Sequence, residues 1–467
     1  MIEFNHGCLC DFRECDVTVM GLGRFGGGLG VVRFLLDRGA RVTITDTASE
    51  EDLAETLKEI DTRKLQALHL GGHLERDFRD TDMVVVNPAV HRDNRYLKIA
   101  ESVGVPLTSE MNLFWQFQRG RIVGITGSNG KSTTASLIHS MLQAEGLTSR
   151  LGGNIGVSLL PEVDQIQPDD WNVLELSSFQ LQDLNRLPSS PDVSVVTNFA
   201  PNHLDWHESL DEYRCAKQTV LRWQTPENCA VLNADDPEVS QWPVHGRVFH
   251  FGRNPQSEHG VFHDKSYFYI HRPGGNQRIQ IDNSLHLPGD HNRDNIAAAM
   301  AAALSVGVSI EAIQEGIRNY RGLPHRLQFV AEVNGRKFYN DSLATTPESV
   351  QAAVQAFEEP IIILAGGYDK QVPLDKLAET IVCQTKAAAL MGQTAEEIQD
   401  LMNSAEISRR PVSQICRSFE ESFAWACERS QPGDVVLLSP GCASYDWFPS
   451  FRERGNMFVA MVDQLAN

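Results

Sequence analysis

Basic residues are few relative to acidic ones in this chain of 467 residues. It has 41 lysines and arginines against 61 aspartates and glutamates, and a formal net charge of −20. Nonspecific binding of nucleic acid requires a basic face that displaces counterions, so this balance argues against DNA or RNA as a partner. We therefore expect any anionic ligand to be bound by a local cluster of donors.

Long apolar runs and paired cysteines are also missing from the sequence. No stretch approaches the ~20 apolar residues of a membrane span, and Met1 to Asp16 lack the basic and apolar regions of a secretory signal. The only close cysteines are Cys8, Cys10 and Cys15, without a C-x-x-C pair or a histidine at metal-ligand spacing. We expect reduced thiols, a cytoplasmic location and no membrane partner.

The composition is that of an average soluble protein, with 42% hydrophobic and 22% charged residues. At roughly 150 residues per domain, the length predicts about three domains. Short apolar strands alternate with helical patterns in three blocks, which is typical of α/β domains with parallel sheets. A segment over 256–287 alternates aromatic and polar residues and predicts a small antiparallel addition to the central block. The predicted domains are 1–109, 110–322 and 323–467.

The segment Ile122–Thr133 leaves an apolar strand, turns through glycines and opens a helix with Lys-Ser-Thr. This layout predicts a loop that binds the phosphates of ATP or GTP. Gly127 and Gly130 would let backbone N–H groups approach phosphate oxygens, and Lys131 would supply a positive charge. The alternative is a glycine turn that only connects strand to helix.

Two details of this loop bear on its chemistry. Ser132 or Thr133 could each ligand a Mg²⁺ ion beside the phosphates. The match to G-x-x-x-x-G-K-[ST] is imperfect, because Ile125 stands where the first glycine is expected.

A second glycine loop lies in the first block. Gly21, Gly23 and Gly26 form G-x-G-x-x-G between a strand and a helix, and Asp46 ends the next strand about 20 residues later. The pattern suggests a dinucleotide site. A glycine turn at a helix N-terminus accepts any diphosphate, however, so a nucleotide-linked substrate is the second hypothesis.

Three candidate side chains follow the phosphate loop. Glu175 ends an apolar strand, where open α/β sheets bind ligands, and is a candidate Mg²⁺ ligand or a structural carboxylate. His203 follows the next strand and could ligand metal or contact phosphate. Lys217 lies in a helical pattern, and from the residues alone we expect an exposed surface lysine.

Together these motifs resemble the Mur ligase family from about residue 17 to the C-terminus. The segments that carry the resemblance are T-G-S-N-G-K-S-T at 126–133, G-G-N-I-G at 152–156, L-E-L-S-S-F-Q at 174–180, N-H-L-D at 202–205, Y-R-C-A-K at 213–217, V-L-N-A-D-D-P at 231–237, G-x-H-N at 289–292, G-L-P-H-R at 322–326, N-D-S at 340–342 and L-L-S-P-G-C-A-S at 437–444.

The resemblance implies an α/β protein with three domains: an N-terminal Rossmann-like domain for a UDP-linked substrate, a central P-loop ATPase-like domain and a C-terminal Rossmann-like domain. It implies an ATP-dependent ligase of peptidoglycan precursor synthesis that adds D-glutamate to UDP-N-acetylmuramoyl-L-alanine through an acyl phosphate. ATP and two Mg²⁺ ions would be the cofactors, and the expected state is a monomer. The alternatives are addition of L-glutamate to the same acceptor, or another Mur-type reaction.

The resemblance also assigns roles to residues. The ATP site would comprise Gly127, Asn129, Gly130, Lys131, Ser132, Thr133, Asn292, Asn295, Arg326 and Asp341. The Mg²⁺ ligands would be Ser132, Glu175, His203 and Lys217, with Lys217 carbamylated. The UDP-substrate site would comprise Arg24, Phe25, Asp46, Thr47, Asn87 and Asn154. The glutamate site would comprise Thr345, Lys370, Ser444, Tyr445 and Phe451. Catalysis would depend on Lys131, His203 and Lys217.

The sequence departs from the family pattern at the glutamate site. D-glutamate enzymes of the family usually read Asp-Ser-Lys-Ala-Thr, whereas this chain has Asp341-Ser-Leu343-Ala-Thr345. Loss of a charged donor to a carboxylate costs about 1.5–3 kcal/mol unless another group compensates. The choice between the glutamate isomers therefore stays open from the sequence. A dehydrogenase that uses Gly21–Gly26 and a nonenzymatic ATP-binding regulator are the rivals from other classes.

Overall fold

A computed structural model describes residues 12–23, 27–155, 158–202, 206–255, 257–264, 266–272, 274–280, 291–320, 322–369, 372–404 and 410–466. Within these ranges, strands and helices alternate along most of the chain, and the strands form three sheets.

The first sheet has five parallel strands in the order β3-β2-β1-β4-β5. Its strands are β1 (Asp16–Met20), β2 (Arg41–Thr45), β3 (Ala67–His69), β4 (Met83–Val86) and β5 (Leu107–Ser109). The helices are α1 (Gly27–Asp37), α2 (Ala54–Lys58), α3 (Arg76–Arg79), α4 (Arg95–Ser102) and α5 (Glu110–Phe117). Crossover helices are the standard way to join parallel strands, as the alternating sequence pattern predicts.

The second sheet has nine strands in the order β14-β13-β12-β11-β10-β9-β6-β8-β7. Its strands are β6 (Arg121–Thr126), β7 (Ser149–Gly153), β8 (Trp171–Glu175), β9 (Val193–Val196), β10 (Cys229–Asn233), β11 (Arg247–Gly252), β12 (Gly260–His263), β13 (Phe268–His271) and β14 (Gln277–Ile279). The helices are α6 (Lys131–Ala144), α7 (Ser178–Leu184), α8 (Leu210–Arg222), α9 (His291–Ser305) and α10 (Ile310–Asn319).

Strand direction divides this sheet into two parts. β7 to β12 run parallel, whereas β12, β13 and β14 pair antiparallel. The predicted antiparallel addition is therefore confirmed for the described part of 256–287. The strand β6 lies between β8 and β9, so the carboxyl ends of these three strands meet at one edge, where α/β sheets bind ligands.

The third sheet has six strands in the order β15-β16-β20-β17-β18-β19, and only the β15–β16 pair is antiparallel. Its strands are β15 (Gln328–Val333), β16 (Arg336–Asn340), β17 (Ile361–Gly366), β18 (Ala387–Met391), β19 (Val412–Ile415) and β20 (Val435–Leu438). The helices are α11 (Pro347–Val354), α12 (Asp375–Gln384), α13 (Ala395–Ser404), α14 (Phe419–Arg429) and α15 (Phe451–Ala466).

The chain divides into two compact units. One comprises Met1–Ile281 with Asp294–Ile317, and the other comprises Asp282–Arg293 with Arg318–Asn467. The first two sheets share a unit because one hydrophobic cluster joins Phe34 and Leu35 of α1 to Leu160 and Val163 beside the central sheet. The domain boundaries at 109 and 322 stay predictions. No helix in the described ranges has the length and apolar character of a membrane span.

Candidate active site

The phosphate loop connects β6 to α6 in the predicted strand–turn–helix arrangement, and two of its glycines occupy positions that exclude a side chain. Gly127 has φ 145°, and a Cβ there would lie 1.9 Å from Thr197 Oγ1. Gly130 has φ 82°, and a Cβ there would lie 2.2 Å from Asn295 Oδ1. Positive φ and close packing both favour glycine, so the turn keeps its backbone accessible at the start of α6.

Residues that follow β9 support the loop from one side. Thr197 Oγ1 donates to the carbonyl of Asn129 at 2.6 Å, and the Asn129 N–H donates to Asn198 Oδ1 at 2.8 Å. Lys131 Nζ donates to the carbonyls of Gly127 and Ser128 at 3.0 and 2.9 Å. The lysine is thus folded over the loop, with its charge where phosphate oxygens would bind.

Ser132 and Glu175 form the centre of the candidate metal site. Ser132 Oγ donates to Glu175 Oε2 at 2.5 Å, and Glu175 is 2% exposed. Asn154, which we expected near the pyrophosphate, donates from Nδ2 to Glu175 Oε1 at 2.9 Å. A hydroxyl and a carboxylate beside a phosphate loop are the oxygen donors that Mg²⁺ prefers, so these residues fit the ion.

Other predicted parts of the metal site differ in what the structure shows. His203 lies outside the described residues. Among those described, no group of three or more His, Cys, Asp or Glu side chains could hold a metal. Thr133 is half-buried next to Ser132, which is buried and takes the position facing Glu175.

Lys217 is buried, with 2% exposure, so the residue-based expectation of a surface lysine is wrong. In α8 it lies on the same face as Tyr213 and Leu221, four residues away on each side, and both are buried. Its Nζ donates to the Gly127 carbonyl at 2.7 Å and lies 4.7 Å from the Tyr213 ring centre. The packing of this apolar face of α8 holds Lys217 beside the phosphate loop.

The pKa of Lys217 is lowered to about 6, chiefly by burial and also by the nearby charge of Lys131, whereas Glu175 opposes the shift. Desolvation disfavours the charged form of an amine, and a second cation adds to that effect. At pH 7 and above, the Lys217 amine is therefore largely neutral.

Asp46 and Asn87 both contact the first glycine loop. Asp46 Oδ2 accepts from the N–H groups of Leu22 and Gly23 at 2.8 and 3.3 Å. Asn87 Nδ2 donates to the Gly21 carbonyl at 3.2 Å. The two predicted UDP-site residues thus organise the loop itself. Thr47 follows Asp46 and is exposed, whereas Arg24 and Phe25 lie outside the described residues.

In the second unit, Asp341 is a buried carboxyl group at the end of β16. Its Oδ2 accepts from Ser439 Oγ at 2.7 Å, and its Oδ1 accepts from the Leu327 N–H at 3.1 Å. Burial raises the pKa of Asp341 to about 7, while these bonds and the charge of Arg326 oppose the shift. Arg326 is exposed nearby.

The two predicted asparagines of the ATP site, Asn292 and Asn295, are buried one turn apart in α9.

A shallow cleft lies at the carboxyl ends of the third sheet's strands. Of the predicted glutamate residues, Thr345 lines this cleft. Ser444 is buried and follows the lining residue Ala443 in the sequence. Tyr445 is exposed and packs edge-on against the lining residue Tyr368, with ring centres 5.9 Å apart. Lys370 lies outside the described residues. The remaining lining residues are Asp369, Val372, Leu374, Thr394, Gly441, Cys442 and Ala443.

Leu343 and Phe451 complete the set of predicted positions. The Leu343 side chain, which replaces the usual lysine, is 41% exposed. The carbonyl of Phe451, the first residue of α15, accepts from Ser342 Oγ at 2.8 Å.

Sequence reasoning missed several residues that shape these sites. Thr197, Asn198 and Tyr213 contact the phosphate loop, and Tyr213 Oη lies 3.1 Å from Ser128 Oγ. The available signal was the i, i+4 spacing of Tyr213 and Lys217 on one helix face. Arg454, buried behind the cleft, carries no local signal because its contacts come from distant segments.

Comparison with known proteins gives consistent matches along the chain. Family models match as the Mur ligase MurD-like N-terminal domain over residues 15–109, the Mur ligase middle domain over 125–303 and the Mur ligase, glutamate ligase domain over 325–442. The chain belongs to the Mur ligase family. The three-domain α/β prediction is thereby confirmed.

Among individual relatives, the chain is 38% identical to UDP-N-acetylmuramoylalanine--D-glutamate ligase of Roseiflexus sp. (strain RS-1), over 95% of this chain and 97% of the relative. It is 37% identical to the ligase of the same name from Clostridium kluyveri, over 97% and 98%. A solved UDP-N-acetylmuramate-alanine ligase from Thermotoga maritima has a TM-score of 0.57 at 18% identity, covering 97% of this chain and all of that one. This last similarity supports the fold alone.

Proposed function

We propose that this protein adds D-glutamate to UDP-N-acetylmuramoyl-L-alanine at the expense of ATP, as a step of peptidoglycan precursor synthesis. The observation that carries the proposal is the similarity to D-glutamate ligases over nearly the whole of both chains. The site geometry supports it, because Lys131, Ser132, Glu175 and Lys217 meet at one sheet edge. A dehydrogenase leaves that grouping unexplained, and a noncatalytic ATP-binding regulator leaves the second glycine loop unexplained.

The phosphate loop would bind ATP. Its backbone N–H groups and Lys131 would bind the phosphates, and Lys131 would offset the negative charge that develops on the transferred phosphoryl group. Ser132, Glu175, His203 and carbamylated Lys217 would hold two Mg²⁺ ions, which when bound neutralise phosphate charge. Asn292, Asn295, Arg326 and Asp341 would contact the rest of the nucleotide.

The reaction would take place in two steps. A carboxylate oxygen of the acceptor's alanine attacks the γ-phosphorus, the bond to ADP breaks and an acyl phosphate forms. The glutamate amine then attacks the acyl carbon, the C–O bond to phosphate breaks, and the amine loses a proton, for which His203 is the candidate acceptor. The products are the amide, ADP and inorganic phosphate.

Lys217 has the chemistry that carbamylation requires. A neutral amine attacks CO₂, a C–N bond forms and one proton is released, so the side chain changes from a neutral amine to an anion with two oxygen donors. The lowered pKa of Lys217 supports this step because it keeps the amine neutral near pH 7. Its bond to the Gly127 carbonyl places the group at the phosphate loop.

The remaining assignments concern the substrates and the setting. The first glycine loop with Arg24, Phe25, Asp46, Thr47, Asn87 and Asn154 would bind the UDP-linked acceptor. The cleft with Thr345, Lys370, Ser444, Tyr445 and Phe451 would bind glutamate. We also propose a cytoplasmic monomer with the domains 1–109, 110–322 and 323–467, and no membrane or nucleic-acid partner.

The test is phosphate release from ATP and Mg²⁺ with UDP-N-acetylmuramoyl-L-alanine, with D-glutamate and L-glutamate in parallel and mass detection of the amide. We expect turnover with the D-isomer. Turnover with the L-isomer alone would assign the protein to the second hypothesis. Turnover with neither isomer would overturn the choice of acceptor.

A further inference from the structure

Arg454 is a fully buried arginine that joins the walls of the glutamate cleft. The side chain is 1% exposed and projects from α15. Its Nε donates to Ser342 Oγ at 3.0 Å, and its Nη2 donates to the carbonyls of Ser342 and Cys442 at 3.0 and 3.1 Å. Its Nη1 donates to the carbonyl of Ala443 at 3.1 Å. One guanidinium group thus joins the segments that follow β16 and β20.

A third segment of the cleft meets the same group. The Ala443 carbonyl also accepts from the Tyr368 N–H at 2.9 Å. A Cβ on Gly367 would lie 2.2 Å from that carbonyl and 3.3 Å from Arg454 Nη1. The strand end that carries Tyr368 and Asp369 is therefore packed directly against the arginine and the backbone it binds.

The charge of Arg454 has no hydrogen-bonded carboxylate among the described residues. The nearest acidic influence is Asp446, whose own oxygens accept from the N–H groups of Gln393 and Trp447 at 3.1 and 3.0 Å. Burial lowers the pKa of Arg454 to about 10, and Asp446 opposes this shift, so the guanidinium is still protonated at pH 7. A buried cation that only uncharged oxygens solvate is costly, and its positive field extends into the adjacent cleft.

We propose that Arg454 is a positioning residue for glutamate: it fixes the cleft walls and supplies the positive potential that Leu343 does not. The inference rests on the proposed function, because it takes the cleft lined by Thr345, Cys442 and Ala443 as the glutamate site. Glutamate brings two carboxylates to the cleft, and the chain lacks the usual cation at Leu343, two residues before the lining residue Thr345. A fixed charge behind the wall compensates for that loss without contacting the substrate.

The experiment compares full-length wild type with Arg454→Met, Arg454→Lys and Arg454→Met combined with Leu343→Lys. We expect Arg454→Met to raise KM for D-glutamate about tenfold or more, with KM for ATP and acceptor within about twofold. Arg454→Lys retains the charge and recovers part of the loss. Adding Leu343→Lys to Arg454→Met places a cation at position 343 and returns the KM for D-glutamate most of the way to the wild-type value.

Arg336→Met is the matched control. Arg336 also binds uncharged acceptors, the carbonyls of Val333 and Cys427, but lies at the start of β16, away from the cleft. We expect this variant to keep the wild-type KM for D-glutamate. An equal change in all three KM values for Arg454→Met, or a KM for D-glutamate that Leu343→Lys does not restore, would overturn the proposal.

Two further measurements separate the possible failures. If Arg454→Met does not fold, Arg454→Lys decides: a KM for D-glutamate within about threefold of wild type supports a charge-based role, and a tenfold rise with normal KM values elsewhere overturns it. If wild type turns over neither glutamate isomer, the proposed function fails. In that case, isothermal titration of D-glutamate and L-glutamate into wild type and Arg454→Lys tests the cleft, and absence of binding overturns this inference.

Discussion

A buried basic side chain lies beside the phosphate loop and another beside the proposed glutamate cleft, and the two differ in what burial does to them. Lys217 and Arg454 are 2% and 1% exposed, and each donates mainly to backbone carbonyls. Burial lowers the pKa of Lys217 to about 6 but that of Arg454 only to about 10. Part of the difference follows from the ordinary values, because a guanidinium binds its proton more tightly than an amine. The rest reflects the neighbours, since the charge of Lys131 lowers the pKa of Lys217 whereas Asp446 raises that of Arg454.

The residue type therefore contributes to whether a basic side chain buried among backbone carbonyls is neutral or charged at pH 7. At the phosphate loop, the lysine becomes a neutral amine, the form that the proposed reaction with CO₂ requires. At the cleft, the arginine stays a permanent charge that organises backbone and attracts anions. Lys217→Arg should therefore impair activity through loss of a modifiable amine, and Arg454→Lys through loss of the guanidinium that joins the cleft walls.

The largest effect is expected from Lys131→Ala, which removes the cation that acts on both ATP and Lys217. Phosphate release should fall about 10²–10³-fold because a preorganised charge beside the transferred phosphoryl group is lost. The pKa of Lys217 should rise, since repulsion by Lys131 contributes to its lowering. Wild-type turnover in a variant with an unchanged unfolding temperature would rule out the phosphate-site assignment.

Lys217→Arg tests the comparison directly. The guanidinium carries a permanent positive charge and cannot form a carbamate, so kcat should fall about 100-fold, a typical loss at a metal site. ¹³C NMR with ¹³C-bicarbonate should show a carbamate carbon in wild type and none in the variant. Normal activity in Lys217→Arg would mean that the lysine acts only as a cation, as Arg454 does.

Glu175→Gln should change the metal requirement. The amide retains the shape of the side chain but removes a charged ligand next to Ser132, so the Mg²⁺ concentration for half-maximal activity should rise about tenfold. Asn154→Ala, which removes the hydrogen bond to Glu175 Oε1 but no charge, is the control and should have a smaller effect. Equal shifts in the two variants would contradict metal ligation by Glu175.

The pH dependence of stability is a separate prediction, because it concerns the free energy of unfolding and not activity. Above pH 6 the folded protein leaves Lys217 neutral, whereas the unfolded chain keeps its proton up to its ordinary pKa of about 10.4. The unfolded state thus binds more protons, and stability should rise with pH from about 6 to 10 by up to about 1.4 kcal/mol per unit relative to Lys217→Met. Urea unfolding of both proteins in CO₂-free buffer measures this slope, and parallel curves would contradict the lowered pKa.

Much of this architecture was predictable from local sequence patterns. The loop from Gly127 to Ser132 is contiguous, so its strand, glycines and lysine are visible together. The burial of Lys217 could also have been predicted from its spacing to Tyr213. Arg454 could not, because Ser342, Cys442 and Ala443 approach it only when the third sheet forms, and an arginine in an amphipathic helix ordinarily indicates a surface position.

The hydrophobic cluster that joins the first two sheets has a consequence for how the protein unfolds. Phe34 and Leu35 belong to the same core as Leu160 and Val163, so neither sheet can open without exposing apolar surface of the other. The two should denature in a single cooperative transition, at one temperature and one urea concentration. A fragment that stops at residue 109 would lose the core residues that follow it, would expose apolar surface of α1 and would be expected to aggregate.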